Sequence, residues 1–271
     1  MIYNMNTSIL FSARKISIFL ILFLILSFPL TSFGALDFDS AGSDRKVVHG
    51  SDAELDDLPA TGMTVWAWVY RTSDGANQEI VTKDNSFPSG WDFVVDNESA
   101  EGGIRLVAFR TNNTNTNWAD ASSAANETTL NTWRFVAGTV DIDGSSPLVK
   151  LYSGGLLSTV REVSSYFRQQ DGTGSYLSDA SHNLWVGNLQ RSNALPFRGK
   201  IARGGIVNRA LSVGELRQIQ FGSRSNVLGT VLLFDYFGTG TQPDRSGNRN
   251  SGTVTSAIAF RHVPLGNLFG R

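Results

Sequence analysis

The chain has 271 residues, 41% of them hydrophobic and 17% charged, so it can bury a sizeable core, and this length does not force a second domain. Its formal charge of −1 leaves no basic field, which argues against nucleic acid or an anionic membrane as a partner. Cysteine is absent, which excludes disulfides, a thioether lipid anchor and cysteine-based metal sites.

In chain order, Arg14 and Lys15 precede an almost wholly apolar run from Ile16 to Phe28, and Ser32 and Gly34 then supply small residues. Charge, a short apolar run and small residues at the −3 and −1 places predict a secretory signal peptide over residues 1–34, cleaved before Ala35. The run falls short of the roughly 20 residues a bilayer span needs, so no membrane span is expected after cleavage. Without Arg14 and Lys15, 24 acids face 21 bases. An exported chain without cysteine fits a secreted or cell-surface protein of bacterial origin.

From Ala35 onward, short apolar runs recur, each closed by Gly, Asn, Asp or Ser. Met63–Tyr70 (MTVWAWVY) is apolar on both faces and predicts a central strand covered on two sides. Strands are predicted at Glu79–Lys83, Gly90–Asp96, Gly103–Phe109, Trp133–Val140, Leu148–Tyr152, Leu184–Gly187, Gly199–Val207 and Val231–Phe237. So many short runs joined by turns point to an all-β sandwich or barrel. Ser212 and Glu215 form a capping box, Leu211 and Leu216 occupy the staple positions, and Gly222 is a natural stop, predicting one short surface helix over Ser212–Phe221. Residues 111–129 are the longest polar stretch and are expected to be an irregular loop, a common place for function.

These pieces, in order, resemble the LamG-like jelly roll of the concanavalin A-like lectin/glucanase group. The likeness rests on Ala35-Leu-Asp-Phe-Asp, Met63-Thr-Val-Trp-Ala-Trp-Val, Ile80-Val-Thr-Lys with Gly90-Trp-Asp-Phe, Thr132-Trp-Arg-Phe-Val-Ala, Val149-Lys-Leu-Tyr-Ser-Gly-Gly, Leu184-Trp-Val-Gly and Asn208-Arg-Ala-Leu-Ser-Val-Gly-Glu. It implies a two-sheet antiparallel jelly-roll sandwich over residues 35–271, with a core at 35–226 and a C-terminal strand extension at 227–271. The tail departs from the family order, and Val231–Phe237 is expected to join a sheet instead of forming a second domain.

The resemblance implies binding of carbohydrate or an extracellular protein through loops at the sandwich rim, and brings in calcium as a cofactor to be tested. Asp37, Asp39, Asp141, Asp143 and Asp235 are the oxygen donors considered. Asp141-Ile-Asp-Gly also reads as a hairpin turn, and Ala202 stands where relatives often place an acid, so no metal ligand is assigned. The carboxylates of glycoside hydrolases in this group have no counterpart here. Glu54-Leu-Asp56-Asp57 lacks the second Glu and reads as solvated loop, while Asp92 and Asp96 suit a solvent-facing strand side equally well. His49, His182 and His262 are scattered.

A sugar ring needs an aromatic face with amides and carboxylates beside it. Trp66, Trp68, Trp133 and Trp185 read as core. Trp118, with Asn115, Asn117 and Asp120 around it, is the leading ligand-binding candidate, and Trp91 with Asp92 is the second. The expected function is non-catalytic binding. A structural or adhesive surface protein is the alternative, and a glycoside hydrolase or lyase ranks below both.

Overall fold

The computed structural model describes residues 33–39, 44–75, 77–85, 88–96, 102–109, 118–143, 146–172, 174–222, 226–236, 238, 240–256 and 259–263. The proposed signal segment up to residue 32 and the candidates Asn115 and Asn117 lie outside them.

The chain runs through β1 (Phe33–Asp37), β2 (Lys46–Gly50), a 3₁₀ turn (Ala53–Leu55), α1 (Leu58–Thr61), β3 (Met63–Arg71), β4 (Gln78–Thr82), β5 (Trp91–Asp96), β6 (Gly103–Phe109), β7 (Trp118–Ser123), β8 (Trp133–Asp143) and β9 (Ser146–Gly155). It continues with β10 (Arg161–Glu162), β11 (Tyr166–Gln170), β12 (Leu184–Val186), β13 (Gly199–Val207), α2 (Val213–Gln220), β14 (Thr230–Asp235), β15 (Thr241–Gln242), β16 (Gly252–Thr255) and β17 (Ala259–Val263).

Two antiparallel sheets result. Among the described residues, one is ordered β10-β9-β8-β3-β13-β1-β17 with β14 also on β13, and the other β11-β7-β6-β5-β4-β12-β2-β16-β15. The expected two-sheet sandwich is therefore what forms. The second sheet has nine strands, the first eight.

Alternation decides which side chains fill the interior. In the eight-stranded sheet Val65, Ala67 and Val69 of β3 point between the sheets, where they meet Phe93, Leu106 and Ala121 of the other sheet in one core. Trp66 and Trp68 point the opposite way, into a second cluster with Phe135, Ala137, Leu216 and Ile219. The double-sided burial of β3 thus has a direct cause, because α2 covers the outer side of its sheet.

The helix stays in place through the predicted capping box. Glu215 N–H donates to Ser212 Oγ (3.3 Å), and Ser212 N–H donates to Glu215 Oε2 (3.0 Å). Leu211 and Leu216 are buried beneath it. Gln220, fully inside, accepts from Val160 N–H (2.6 Å) and donates to the Gly155 and Ser158 carbonyls, tying the helix to the β9–β10 turn.

The tail is part of the sandwich. β14 pairs β13, with Phe234 opposite Gly204 and Leu232 opposite Ile206. A Cβ on Gly204 would come within 2.2 Å of the Phe234 ring and 2.7 Å of the Trp66 carbonyl, so only glycine lets the two strands carry that ring. β16 pairs β2, and His49 of β2 bonds the Asn250 carbonyl through Nδ1 (2.8 Å) and Tyr236 Oη through Nε2 (3.1 Å).

Two expectations change. The segment Glu54–Asp57 is no plain solvated loop: Glu54 stays exposed in the 3₁₀ turn, Asp57 caps the start of α1, and Asp56 reaches a buried lysine. Lys83 Nζ, fully covered, donates to Asp56 Oδ1 (2.7 Å), Asp179 Oδ1 (2.8 Å) and the Asp179 carbonyl (2.7 Å). Asp57 Oδ1 accepts from Asp179 N–H (3.0 Å), and Tyr176 Oη donates to Asp179 Oδ2 (2.6 Å). Residues 118–123 are also not loop, since they form β7 between β6 and β11.

Candidate functional site

Strand parity builds the site. In β5, Trp91, Phe93 and Val95 point into the core, so Asp92, Val94 and Asp96 lie on the outer side of the nine-stranded sheet. In β6, Ile104, Leu106 and Ala108 go inward and leave Arg105 and Val107 outside. In β7, Ala119 and Ala121 go inward and leave Trp118, Asp120 and Ser122 outside. A register shift between Glu79 and Val81 in β4 buries Ile80 and Val81 and leaves Glu79 and Thr82 on the outer side.

Register then aligns these residues laterally. Gln170, Asp120, Val107, Asp92, Thr82, Trp185, Val48 and Thr253 form one cross-strand row. The neighbouring row reads Arg168, Ser122, Arg105, Val94, Glu79. Trp118 sits two residues before Asp120 on β7, and both its ring and that of Trp185 are half-buried.

This placement sorts the predicted residues. Trp118 and Asp120 share the outer face with Asp92. Trp91 is fully buried, because it is Asp92's neighbour in an extended strand and must face the other way; with both ring faces covered it offers no stacking surface. Trp185, read as core, is the reverse correction. Leu184 and Val186 are buried to either side, so alternation turns Trp185 outward, where Lys46 Nζ lies 4.0 Å from its ring centroid. Trp133 is also only half-buried, on the other sheet beside Tyr70 with centroids 5.4 Å apart.

The arginines on this face meet acids. Arg105 donates to Asp120 through Nε (2.9 Å) and Nη2 (3.0 Å), and Arg168 Nε lies 2.5 Å from Asp120 Oδ2. Arg105 also approaches the Trp118 ring, 5.4 Å from its centroid. Ser122 Oγ donates to Asp96 Oδ2 (2.7 Å). Arg191, from the segment after β12, contacts Asp84 and stands 3.8 Å from Asp92 Oδ2.

Glu79 and Asp92 are diagonal neighbours on adjacent strands, since Glu79 faces Val94 two residues from Asp92. Burial raises both carboxyls. Asp92 is pushed up to about 6, partly offset by the Thr82 hydroxyl, and Glu79 is raised by burial and by the nearby Asp92. Glu79 Oε2 and Asp84 Oδ1 are buried without a hydrogen-bond partner. The pair can hold a proton into the weakly acidic range. Sequence reasoning passed over Glu79, Arg105, Arg191 and Lys46; parity applied to β4, β6 and β2 is the signal that finds three of them, while Arg191 comes from a connection that has no period.

The calcium donors do not converge. Asp37 lies 3.8 Å from Lys200 Nζ and Asp235 pairs with Arg203 (2.9 Å). Among the described residues no three His, Cys, Asp or Glu side chains group as metal ligands. Asp141 and Asp143 belong to the β8–β9 pair, where Asp143 is in register with Ser146. Nor is any helix among the described residues long and apolar enough to cross a membrane.

Several solved structures are similar to this chain. A Bacteroides ovatus protein provisionally described as carbohydrate binding superimposes with a TM-score of 0.60 at 14% identity, covering 88% of this chain and 62% of that one. This chain thus spans less than two thirds of that protein's length. The native heptameric SAP-like pentraxin of Limulus polyphemus matches with a TM-score of 0.44 at 10% identity, over 71% of this chain and 83% of that one. At 14% identity the Bacteroides ovatus likeness establishes the fold alone. No curated protein matches the chain by sequence. The family model described as the concanavalin A-like lectin/glucanases superfamily matches residues 42–217, and the chain belongs to that family.

Proposed function

We propose that this is an exported, non-catalytic carbohydrate-binding protein that holds its ligand on the outer face of the nine-stranded sheet. One observation carries the reading: Trp118 and Trp185 stand half-buried on the same sheet face, each steadied by a cation, above a floor of paired charges. A sugar stacks on such rings while its hydroxyls meet the polar groups between them. Trp66, Trp68 and Trp91 are covered by protein and are not available for this role. The family and the Bacteroides ovatus neighbour support a saccharide as the ligand.

A non-catalytic role is supported by the pairing of Asp92, which accepts from the Thr82 hydroxyl beside it on β4 and stands 3.8 Å from Arg191, so it is engaged as a structural acceptor. Export rests on the signal-like segment 1–34. Cleavage after Gly34 leaves Ala35, Leu36 and Asp37 paired to β17.

The test is a glycan array read with and without calcium, with Trp118→Ala beside the wild type, and a reducing-end assay on the bound polysaccharides. Wild-type binding that drops at least tenfold in the variant, at an unchanged thermal midpoint and with no new reducing ends, is the expected result. Undiminished binding by the variant would remove the site, and released reducing ends would overturn the non-catalytic assignment.

A further inference from the structure

A cleft opens on the other sheet, on the side that carries α2. It lies between α2 and strands β8, β9 and β10 and encloses about 650 Å³, within the range of roughly 300–1,000 Å³ typical of small-molecule sites. We infer that it is a second binding site, for a small hydroxylated carboxylate, with the carboxylate held by Arg161 and Arg217 and the hydroxyls turned toward Asp141. It is separate from the tryptophan face and does not depend on it.

Strand parity makes the floor. Phe135 and Ala137 of β8 lie in the cluster under α2, so Thr139 and Asp141 continue on the same face. Register puts Tyr152 of β9 opposite Ala137, Lys150 opposite Thr139, and Glu162 of β10 opposite Tyr152. Thr139 and Tyr152 are buried and hydrogen-bonded to each other, and Leu211 adds an apolar patch beside them. The helix runs from β3, where Leu211 N–H donates to Thr64 Oγ1 (2.9 Å), to the end of β9, where Gln220 donates to the Gly155 carbonyl (2.8 Å). The cleft opens along its side.

Internal pairing decides which lining groups are left for a ligand. Glu215 is engaged by Arg209 (2.6 Å) and by the Ser212 cap. Lys150 and Glu162 stand 3.8 Å apart, and Glu162 Oε1 also accepts from Tyr166 Oη (3.0 Å). Arg217 uses only Nε, on the Val160 carbonyl (3.3 Å), which brings its terminal nitrogens to the strand that carries Arg161. Among the described residues, the side chains of Arg161 and Asp141 have no hydrogen-bond or ion-pair partner. Two exposed guanidiniums therefore remain on the β10 side and one exposed carboxylate on β8. A guanidinium only donates, in a fork that fits a carboxylate, whereas an ionised carboxylate only accepts and suits hydroxyl donors. Two unspent positive charges against one negative leave a balance of one, which matches a singly charged carboxylate better than a phosphate dianion.

The experiment is titration of the isotope-labelled protein, followed by nitrogen–proton correlation spectra, with glucuronate, galacturonate and mannuronate and their disaccharides. Each acid is paired with its neutral parent sugar and with the parent's 6-phosphate. One acid should shift the Arg161 and Arg217 Nε–H signals and the Tyr152 amide, and bind about tenfold or more tighter than its parent, the scale of one charge-assisted hydrogen bond. Arg161→Gln and Arg217→Gln should each lose most of that margin, and Asp141→Asn should weaken acid and parent alike. All three positions are exposed, so thermal midpoints should stay within about 2 °C of the wild type. Equal affinity for acid and parent, tighter binding of the 6-phosphate, wild-type affinity in both arginine variants, or no shift with any acid would overturn the inference. The Trp118 and Trp185 indole signals in the same spectra report on the other sheet, so failure here is distinguishable from failure there.

Discussion

Replacing Phe234 by alanine tests whether the tail beyond the family match holds the sandwich together. Phe234 is fully buried on β14, faces Gly204 on β13, stacks on Tyr236 with ring centroids 4.6 Å apart, and lies 5.9 Å from His49 of the other sheet. Its removal empties a ring-sized space bounded by strands of both sheets, which costs about 3–5 kcal/mol. In a folded unit of this size each kcal/mol moves the thermal midpoint by roughly 2–4 °C, so Phe234→Ala should melt about 6–20 °C below the wild type in a calorimetric or circular-dichroism scan. Leu228→Ala, at a position 87% exposed in the same tail, should change stability by no more than about 0.5 kcal/mol. A Phe234→Ala midpoint within about 3 °C of the wild type would refute the reasoning, because it would mean that β14 adds nothing to the core.

Acid should loosen the same region. Burial keeps His49 neutral, lowering its pKa from 6.5 to about 4, so the unfolded chain takes up this proton first as the pH falls. The stabilisation is complete above pH 6.5 and lost between 6.5 and 4, on the order of 3 kcal/mol. Denaturant midpoints of the wild type should fall relative to those of His49→Gln across that window, while the raised carboxyls of Asp92 and Glu79 act in the opposite direction in both proteins; parallel pH profiles of the two would contradict the assignment. Lys83→Met should destabilise by about 3–5 kcal/mol in urea, since Asp179 is left buried opposite no charge. Adding Asp179→Asn should recover part of that loss, and strict additivity would show that the pair does not act as one unit.

Much of the fold was written in local pattern. The apolar run on both faces of β3 announced cover on two sides, and Ser212 with Glu215 announced the helix that supplies one of them. Both are short-range signals, a period of two and a three-residue cap. The site was legible only in part for the same reason. Trp118 stood out because polar residues precede it, yet the surrounding stretch was read as loop although Trp118-Ala-Asp-Ala-Ser-Ser alternates. Trp91 and Trp185 exchanged roles because each sits in a mainly apolar run, where composition says core and only parity separates the inward ring from the outward one. The Lys83 network could not be read at all: Asp56, Lys83 and Asp179 are far apart in sequence and meet only when the turn before α1 packs against the connection leading to β12.

The most direct test of the carbohydrate-binding face follows the six indole N–H signals by nitrogen–proton correlation spectroscopy while a tetrasaccharide that binds is titrated in. Trp118 and Trp185 should shift together and saturate at one concentration, with Trp66, Trp68, Trp91 and the half-buried Trp133 of the opposite sheet unmoved. Shifts confined to Trp133, or saturation with Trp118 and Trp185 both silent, would contradict the account.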